Sequence, residues 1–245
     1  MRSRIGISTT VYSKRYLAVA WKNRAALEDY ERRGFGQFVY LTICAHLEGV
    51  LAELIRKRLQ SIRHMVRWEK LPPMNLTVGK QQHACDVKPI YESLFRLLDS
   101  LADKSHTAPL NRLMEHYDIL FSPALREVVG KNLHEDLTAL AQLRNLFAHG
   151  REFFLEFDGP FDGHATLDAN PIQAPALRLH RVGIIKDLTI SGQNHDVFQS
   201  AFYSDDALLY FYSAVRAVEQ KLSASVTFLL EKHFWTVDPL PDLKA

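Results

Sequence analysis

Apolar residues recur at helical spacing through most of the first 150 residues of this chain, which has 245 residues in all. A pattern with this period predicts amphipathic helices, which become stable by burying their apolar faces against one another. The predicted helices cover 16–33, 37–67, 89–102, 110–120 and 133–149. Gly34 is expected to end the first of them, and the polar stretch from Pro72 to Lys88 is expected to form a loop.

Residues 151–200 show a different pattern. Phe153, Leu155 and Phe157 stand at alternate positions, and Gly159-Pro160 follows them as a turn signal. Short apolar runs of this kind predict a small β-rich insertion in the helical protein.

A long final helix is predicted after Ser204, which is a favoured N-cap residue. Its apolar stripe consists of Leu208, Phe211, Val215, Val218, Leu222 and Leu229. The predicted fold class is therefore mainly α. We expect a single domain of residues 1–245, with a helical core at about 16–150 and 204–235 and the β-rich insertion between them.

Composition places the chain among ordinary globular proteins, since 47% of its residues are hydrophobic and 24% are charged. Its formal net charge of +2 gives no indication of a nucleic-acid partner, so any evidence for one has to be local. The chain has only 2 cysteines, which suits a reducing compartment, and we expect a cytoplasmic protein. No uninterrupted apolar run reaches the ~18–20 residues of a membrane span, so no membrane partner is expected.

Several common chemistries lack their motifs in this sequence. There is no CxxC, no HExxH and no glycine-rich phosphate loop. His83, Cys85 and Asp86 have a poor spacing for zinc, so neither a metal nor a cofactor is predicted. The basic run at 56–58, together with Arg63 and Arg67, either contacts phosphates or forms a solvated helix face.

The segment that ends the helix predicted over 133–149 reads Arg144-Asn145-Leu146-Phe147-Ala148-His149-Gly150. An arginine and a histidine with four to six residues between them are expected roughly twice by chance in this composition, and Arg58 and His64 supply one such pair. Requiring an asparagine directly after the arginine, with four residues before the histidine, lowers the chance expectation to roughly 0.02. The longer pattern therefore predicts a functional segment.

Helix geometry places Arg144 where a core residue is expected. The apolar arc of its helix consists of Leu133, Leu137, Leu140, Ala141, Leu143, Phe147 and Ala148. Arg144 falls near the middle of that arc, whereas Asn145 and His149 share a line at its polar edge. A guanidinium keeps its proton, so its burial requires an anionic partner.

Glu48 is the predicted partner of Arg144. It falls inside an apolar stripe of the helix at 37–67, formed by Leu41, Ala45, Ala52, Ile55 and Leu59. We therefore expect Glu48 and Arg144 to be largely buried and in contact. An alternative is that the pair is only a core salt bridge, with His149 favoured by the negative end of its helix dipole.

These features resemble the HEPN superfamily, whose members are helical bundles with an Arg-polar-x(3–5)-His motif. Arg144, Asn145, His149 and Gly150 match that motif position by position, and Glu48 stands at the acidic position of the family's preceding helix. The resemblance covers roughly residues 35–150 and the last helix.

The resemblance implies a metal-independent endoribonuclease, such as a toxin or an anti-phage effector. It implies that His149 acts as acid or base, that Arg144 stabilises the phosphate, that Asn145 orients the phosphate or the ring, and that Glu48 supports Arg144. It also implies RNA as substrate, a homodimer that brings two motifs to one cleft, and an antitoxin or nucleotidyltransferase as a further partner. The alternatives are a non-catalytic HEPN module that binds RNA, nucleotide or a partner protein, and a scaffold without a nucleic-acid role.

Overall fold

The computed structural model describes most of the chain: residues 10–65, 74–78, 81–85, 88–149, 156–157, 164–167, 170–191, 195–229 and 240–243. The described part is mainly helical, as the sequence predicts. Its helices are α1 (Thr10–Asn23), α2 (Asp29–Met65), α3 (Lys88–His106), α4 (Leu110–Leu120), α5 (Leu125–Val129), α6 (Lys131–Ala148), α7 (Gln173–Arg181), α8 (His195–Ala201) and α9 (Asp205–Leu229). Its strands are β1 (Met74–Val78), β2 (Gln81–Cys85), β3 (Glu156–Phe157), β4 (His164–Thr166) and β5 (Ile190–Ser191).

The break between the first two helices lies at residues 24–28, so the prediction that Gly34 ends a helix is wrong. Arg24 begins a short 3-10 helix (Arg24–Ala26) directly after α1, and its side chain donates a hydrogen bond to the carbonyl of Trp21 at 2.7 Å. The side chain of Glu31 accepts a hydrogen bond from the backbone N–H of Glu28 at 3.1 Å, where α2 begins. A glycine inside a helix costs only about 1 kcal/mol, and α2 continues through Gly34.

The chain forms two compact units, Met1–Gly49 with Leu125–Ala245, and Val50–Ala124. The boundary falls inside α2, so one helix contributes to both units. We call them the outer unit, which contains both chain ends, and the middle unit. The single-domain organisation stays a prediction.

The middle unit contains an element that the sequence analysis missed. Residues predicted as a loop form the antiparallel hairpin β1–β2, in which Met74 pairs with Cys85 and Val78 pairs with Gln81. Met74, Leu76 and Val78 do alternate with Asn75 and Thr77, as in a half-buried strand, but the preceding Pro72-Pro73 and the polar residues that follow led to the prediction of a loop. The side chains of the weak metal candidate at 83–86 lie outside the described residues.

The basic run of the middle unit is engaged with its own neighbours. Arg56 binds Glu53 at 2.6 Å, and Lys57 lies 3.3 Å from the same carboxylate. Arg58 donates to the carbonyl of Leu120 at 3.3 Å. These contacts favour a structural role for the run, and Arg67 lies outside the described residues.

Helix α2 is long and apolar enough to cross a membrane by length and composition alone, since an 18-residue stretch within Asp29–Arg63 has a mean hydropathy of 1.6. Charged residues such as Glu48 interrupt this helix, so the expectation that no uninterrupted apolar run reaches the length of a membrane span is not contradicted. Because 61% of this 18-residue stretch is buried inside the protein, the helix also has the character of a core helix. The absence of a membrane partner stays a prediction.

The core of the outer unit is formed by α5, α6 and α9, with part of α2. The predicted stripe of α9 is buried at Leu208, Phe211, Val215, Val218 and Leu222, while the side chain of Leu229 is outside the described residues. Ser204 caps α9, as predicted, because its Oγ accepts a hydrogen bond from the backbone N–H of Ala207 at 3.2 Å.

The segment 151–200 is not β-rich in its described residues, and Phe153 and Leu155 of the predicted alternation lie outside them. Its described strands β3, β4 and β5 have two or three residues each and form one antiparallel sheet in the order β3-β4-β5. Helices α7 and α8 account for more of the segment than the strands do. Helix α7 packs on α6, and this contact supplies the burial that a local sequence pattern does not reveal.

A buried charge network fixes α7 against α6 and α9. Arg178 of α7 donates to Asp136 at 2.6 Å and to Glu135 at 2.8 Å, both on α6. Tyr210 of α9 donates to the same Asp136 oxygen at 2.6 Å. Burial and the neighbouring Asp136 carboxylate raise the pKa of Tyr210 to about 12, so its hydroxyl stays a donor. The side chains of Arg178 and Asp136 are 10% and 5% exposed, so the network pairs charges within the core.

Candidate functional site

Helix α6 carries the Arg144–His149 segment in its last turns, but its buried face differs from the predicted one. Leu137, Leu140, Ala141 and Leu143 are buried as predicted, whereas Ala148 is exposed. Asp136, Ala139 and Leu146 are buried as well. The pairing of Asp136 with Arg178 turns that carboxylate inward, which rotates the buried face away from Arg144. Arg144 therefore lies at the edge of the apolar face instead of its middle.

Helix α2 shows a similar rotation around Glu48. Its buried residues in the outer unit are Val39, Tyr40, Ile43, Cys44 and Leu47, with the polar residues Thr42 and His46. In the predicted stripe, Leu41 is only partly buried and Ala45 is exposed, although Ile55 and Leu59 are buried. Glu48 thus stands beside the buried face.

The structure confirms the contact between Glu48 and Arg144. Nε of Arg144 lies 3.3 Å from Oε1 of Glu48. The side chain of Arg144 is 26% exposed and that of Glu48 is 17% exposed, so the pair is less deeply buried than predicted. One edge of the guanidinium is fixed to α2, and water reaches the rest of it.

Asn145 lies beside this ion pair, and His149 follows one turn later at the end of α6. The side-chain carbonyl of Asn145 accepts a hydrogen bond from Nη1 of Arg144 at 3.3 Å. Asn145 is partly exposed and His149 is exposed, which agrees with their predicted place at the polar edge. His149 is the C-cap of α6, and Gly150 lies outside the described residues.

The thiol of Cys44 is a buried neighbour of the ion pair. Its Sγ donates to the carbonyl of Leu140 at 3.7 Å. Burial and the charge of Glu48 raise the pKa of the Cys44 thiol, and Arg144 only partly opposes this effect. A neutral buried thiol is a poor nucleophile, so the reactive groups that face solvent here are those of α6.

Two aromatic neighbours of this segment escaped the sequence analysis. Phe147 stacks on Tyr40 of α2, with 5.6 Å between the ring centroids, and lies 6.0 Å from the ring of Tyr203. A helical wheel marks Phe147 as apolar but does not identify which rings it meets.

Replacing Glu48 by alanine tests the ion pair. We expect Glu48→Ala to lower the free energy of unfolding by roughly 1–2 kcal/mol, between the values for exposed and buried pairs, because both side chains keep some contact with water. Arg144→Ala is expected to have a similar effect, and the double variant is expected to lose less than the sum of the two. Denaturant unfolding of the four proteins measures the coupling. Strict additivity would show that the 3.3 Å contact contributes nothing to stability.

The described residues contain no group of three or more His, Cys, Asp or Glu side chains that could hold a metal ion. The prediction that the site uses no metal is not tested by this observation. Comparison of the chain with protein-family models, with curated proteins and with solved structures gives no match, so the site has to be interpreted from its own geometry.

Proposed function

We propose that this protein is a metal-independent endoribonuclease of HEPN type, with Arg144, Asn145 and His149 in its active site. The observation that carries the proposal is the arrangement at the end of α6. An anchored guanidinium, an amide hydrogen-bonded to it and an exposed imidazole share a helix end that is open to solvent. A purely structural ion pair between α2 and α6 requires neither the amide nor the imidazole.

The three side chains suit cleavage of RNA by its own 2′-hydroxyl. The imidazole of His149 can accept the 2′-hydroxyl proton as the 2′-oxygen attacks the adjacent phosphorus. The bond from phosphorus to the 5′-oxygen then breaks, and the leaving oxygen takes up a proton. The products carry a 2′,3′-cyclic phosphate and a 5′-hydroxyl.

Arg144 supplies the charge that this reaction needs. The phosphorane formed during attack carries extra negative charge, which a fixed cation stabilises. Glu48 holds Nε of Arg144, which leaves donors on the outer nitrogens of the guanidinium for a phosphate oxygen. Glu48 is therefore a positioning residue for Arg144.

The proposal is tested by incubating single-stranded RNA with the purified protein in excess EDTA. Cleavage to fragments with 2′,3′-cyclic phosphate ends is the expected result. RNA that is bound but stays intact over hours would contradict the endoribonuclease and would favour a binding module without catalysis.

We propose that the active form is a homodimer. One motif supplies a single imidazole, whereas the reaction benefits from a base at the 2′-oxygen and an acid at the 5′-oxygen. A two-fold axis near the C-terminal end of α6 would bring two copies of His149 to one phosphate. Sedimentation at tens of micromolar is expected to show a dimer. A monomer at that concentration that is fully active at nanomolar would contradict this arrangement.

A toxin or anti-phage role fits such an activity, because uncontrolled RNA cleavage harms the cell that makes it. A cell that produces this nuclease needs a means to restrain it, and we propose an antitoxin or a nucleotidyltransferase as that partner. We propose that the protein acts in the cytoplasm, where RNA is its substrate.

A further inference from the structure

Three aromatic rings hold the end of α6 on its buried side. Phe147 stacks on Tyr40, with 5.6 Å between centroids and an interplanar angle of 29°. Its other neighbour is Tyr203, at 6.0 Å and 37°. Tyr40, Phe147 and Tyr203 come from α2, α6 and the turn before α9, and we call these three residues the aromatic clamp.

The clamp is built on rigid supports. The hydroxyl of Tyr40 donates to the carbonyl of Phe202 at 2.6 Å, and the ring of Tyr40 meets Phe211 edge-on at 5.7 Å. Burial raises the pKa of Tyr40, and the neighbouring Tyr203 adds to this effect, so the phenol stays protonated and remains a donor. Tyr40 is therefore fixed at both its ring and its hydroxyl.

The clamp also explains a glycine inside α2. A Cβ built on Gly36 would lie 2.7 Å from Cδ1 of Tyr203, a separation that side chains essentially never adopt. Any residue larger than glycine at position 36 would push the Tyr203 ring out of place. Gly34, two residues earlier in the same helix, has nothing within 4 Å of its Cβ position.

The clamp is linked to His149 through the backbone. His149 caps α6 with φ −100° and ψ 3°, and its N–H points to the carbonyl of Phe147. Helix ends fray unless tertiary contacts hold them, and the open side of this turn faces solvent. The ring of Phe147, two residues before His149, makes tertiary contacts with Tyr40 and Tyr203.

We propose that the aromatic clamp is the positioning device of His149: Tyr40 and Tyr203 hold Phe147, and Phe147 holds the turn from which the imidazole projects. This inference rests on the proposed function for its catalytic consequence, whereas the ordering of the turn stands independently of it. The clamp residues act through His149 and do not touch the substrate.

The test uses Gly36→Ala, which is expected to displace the Tyr203 ring while Glu48 and every residue from Arg144 to His149 keep their identity. Gly34→Ala is the matched control, since it is the same substitution in the same helix with open space around it. Phe147→Leu, which removes a ring but keeps an apolar side chain, is a second variant in case Gly36→Ala does not fold. Phe147→Tyr restores the ring and should recover most of what Phe147→Leu loses.

Two readouts separate positioning from general stability. Amide hydrogen exchange without RNA is expected to quicken about tenfold at residues 145–149 in Gly36→Ala and Phe147→Leu, because each loses an aromatic contact. Exchange in α4 of the middle unit should stay unchanged. The kcat for RNA cleavage should fall in the same two variants with little change in KM, and Gly34→Ala should match the wild type in both readouts.

The outcomes distinguish this inference from the proposed function. Unchanged exchange at residues 145–149 in both Gly36→Ala and Phe147→Leu would overturn the clamp, whether or not the protein cleaves RNA. If both variants exchange faster but the wild-type protein does not cleave RNA, the clamp is supported as a structural device and the nuclease is contradicted. An unchanged kcat despite faster exchange would overturn the catalytic part of the clamp proposal.

Discussion

His149→Ala is expected to lower the rate of RNA cleavage by ~10²–10⁴-fold, the usual loss when one acid–base group is removed. The melting temperature should stay within the error of the wild-type value, because His149 is exposed and lies outside the core. Initial cleavage rates in EDTA, measured beside thermal unfolding of the same preparations, give both quantities.

His106→Ala is the matched control for this variant. His106 is also an exposed histidine at the end of a helix, α3, but it belongs to the middle unit. The His106→Ala variant should cleave RNA at the wild-type rate. Equal rates in His149→Ala and the wild type would remove His149 from the mechanism and leave the segment with a structural role.

Arg178→Ala is expected to cause the largest loss of stability, about 3–5 kcal/mol. The substitution leaves the Asp136 carboxylate buried without the guanidinium that donates to it at 2.6 Å. Asp136→Ala should cost a similar amount, and the double variant should be less damaged than the sum of the two. Equilibrium unfolding in urea, with the slope checked for two-state behaviour, measures these losses.

Arg181→Ala controls for the general loss of an arginine from α7. Arg181 and Arg178 bind the same carboxylate, that of Glu135, at 3.0 Å and 2.8 Å. The side chain of Arg181, however, is 62% exposed. An ion pair with this exposure contributes about 1 kcal/mol at most. If Arg178→Ala is no more costly than Arg181→Ala, the buried network does not stabilise α7 on α6.

The elements that the sequence predicted well are those with a strong local signal. The limits of α4 and the start of α9 follow from helical periodicity and a capping serine. The end of α1 depends on contacts of Arg24 with Trp21 and with Asp205, a residue 181 positions away, so a rule based on glycine placed it wrongly. Helix α7 likewise depends on its packing against α6, which no local pattern encodes.

The features of the candidate site were likewise predicted where their signal is local and missed where they depend on distant segments. Charges on two apolar helix faces were enough to pair Glu48 with Arg144, and the structure confirms that contact. Their depth was overestimated because the sequence alone does not show that Asp136 turns inward to meet Arg178, 42 residues later. The partners of Phe147 come from two other segments, so they became visible only in the folded protein.

The most direct test of the account is the yield of 2′,3′-cyclic phosphate ends from one RNA in EDTA, followed over time for the wild type and for His149→Ala. The wild type should accumulate these ends steadily, and the variant should form them ~10²–10⁴-fold more slowly. Accumulation at the same rate in both proteins would place any cleavage elsewhere, and no accumulation in either would contradict the proposed endoribonuclease.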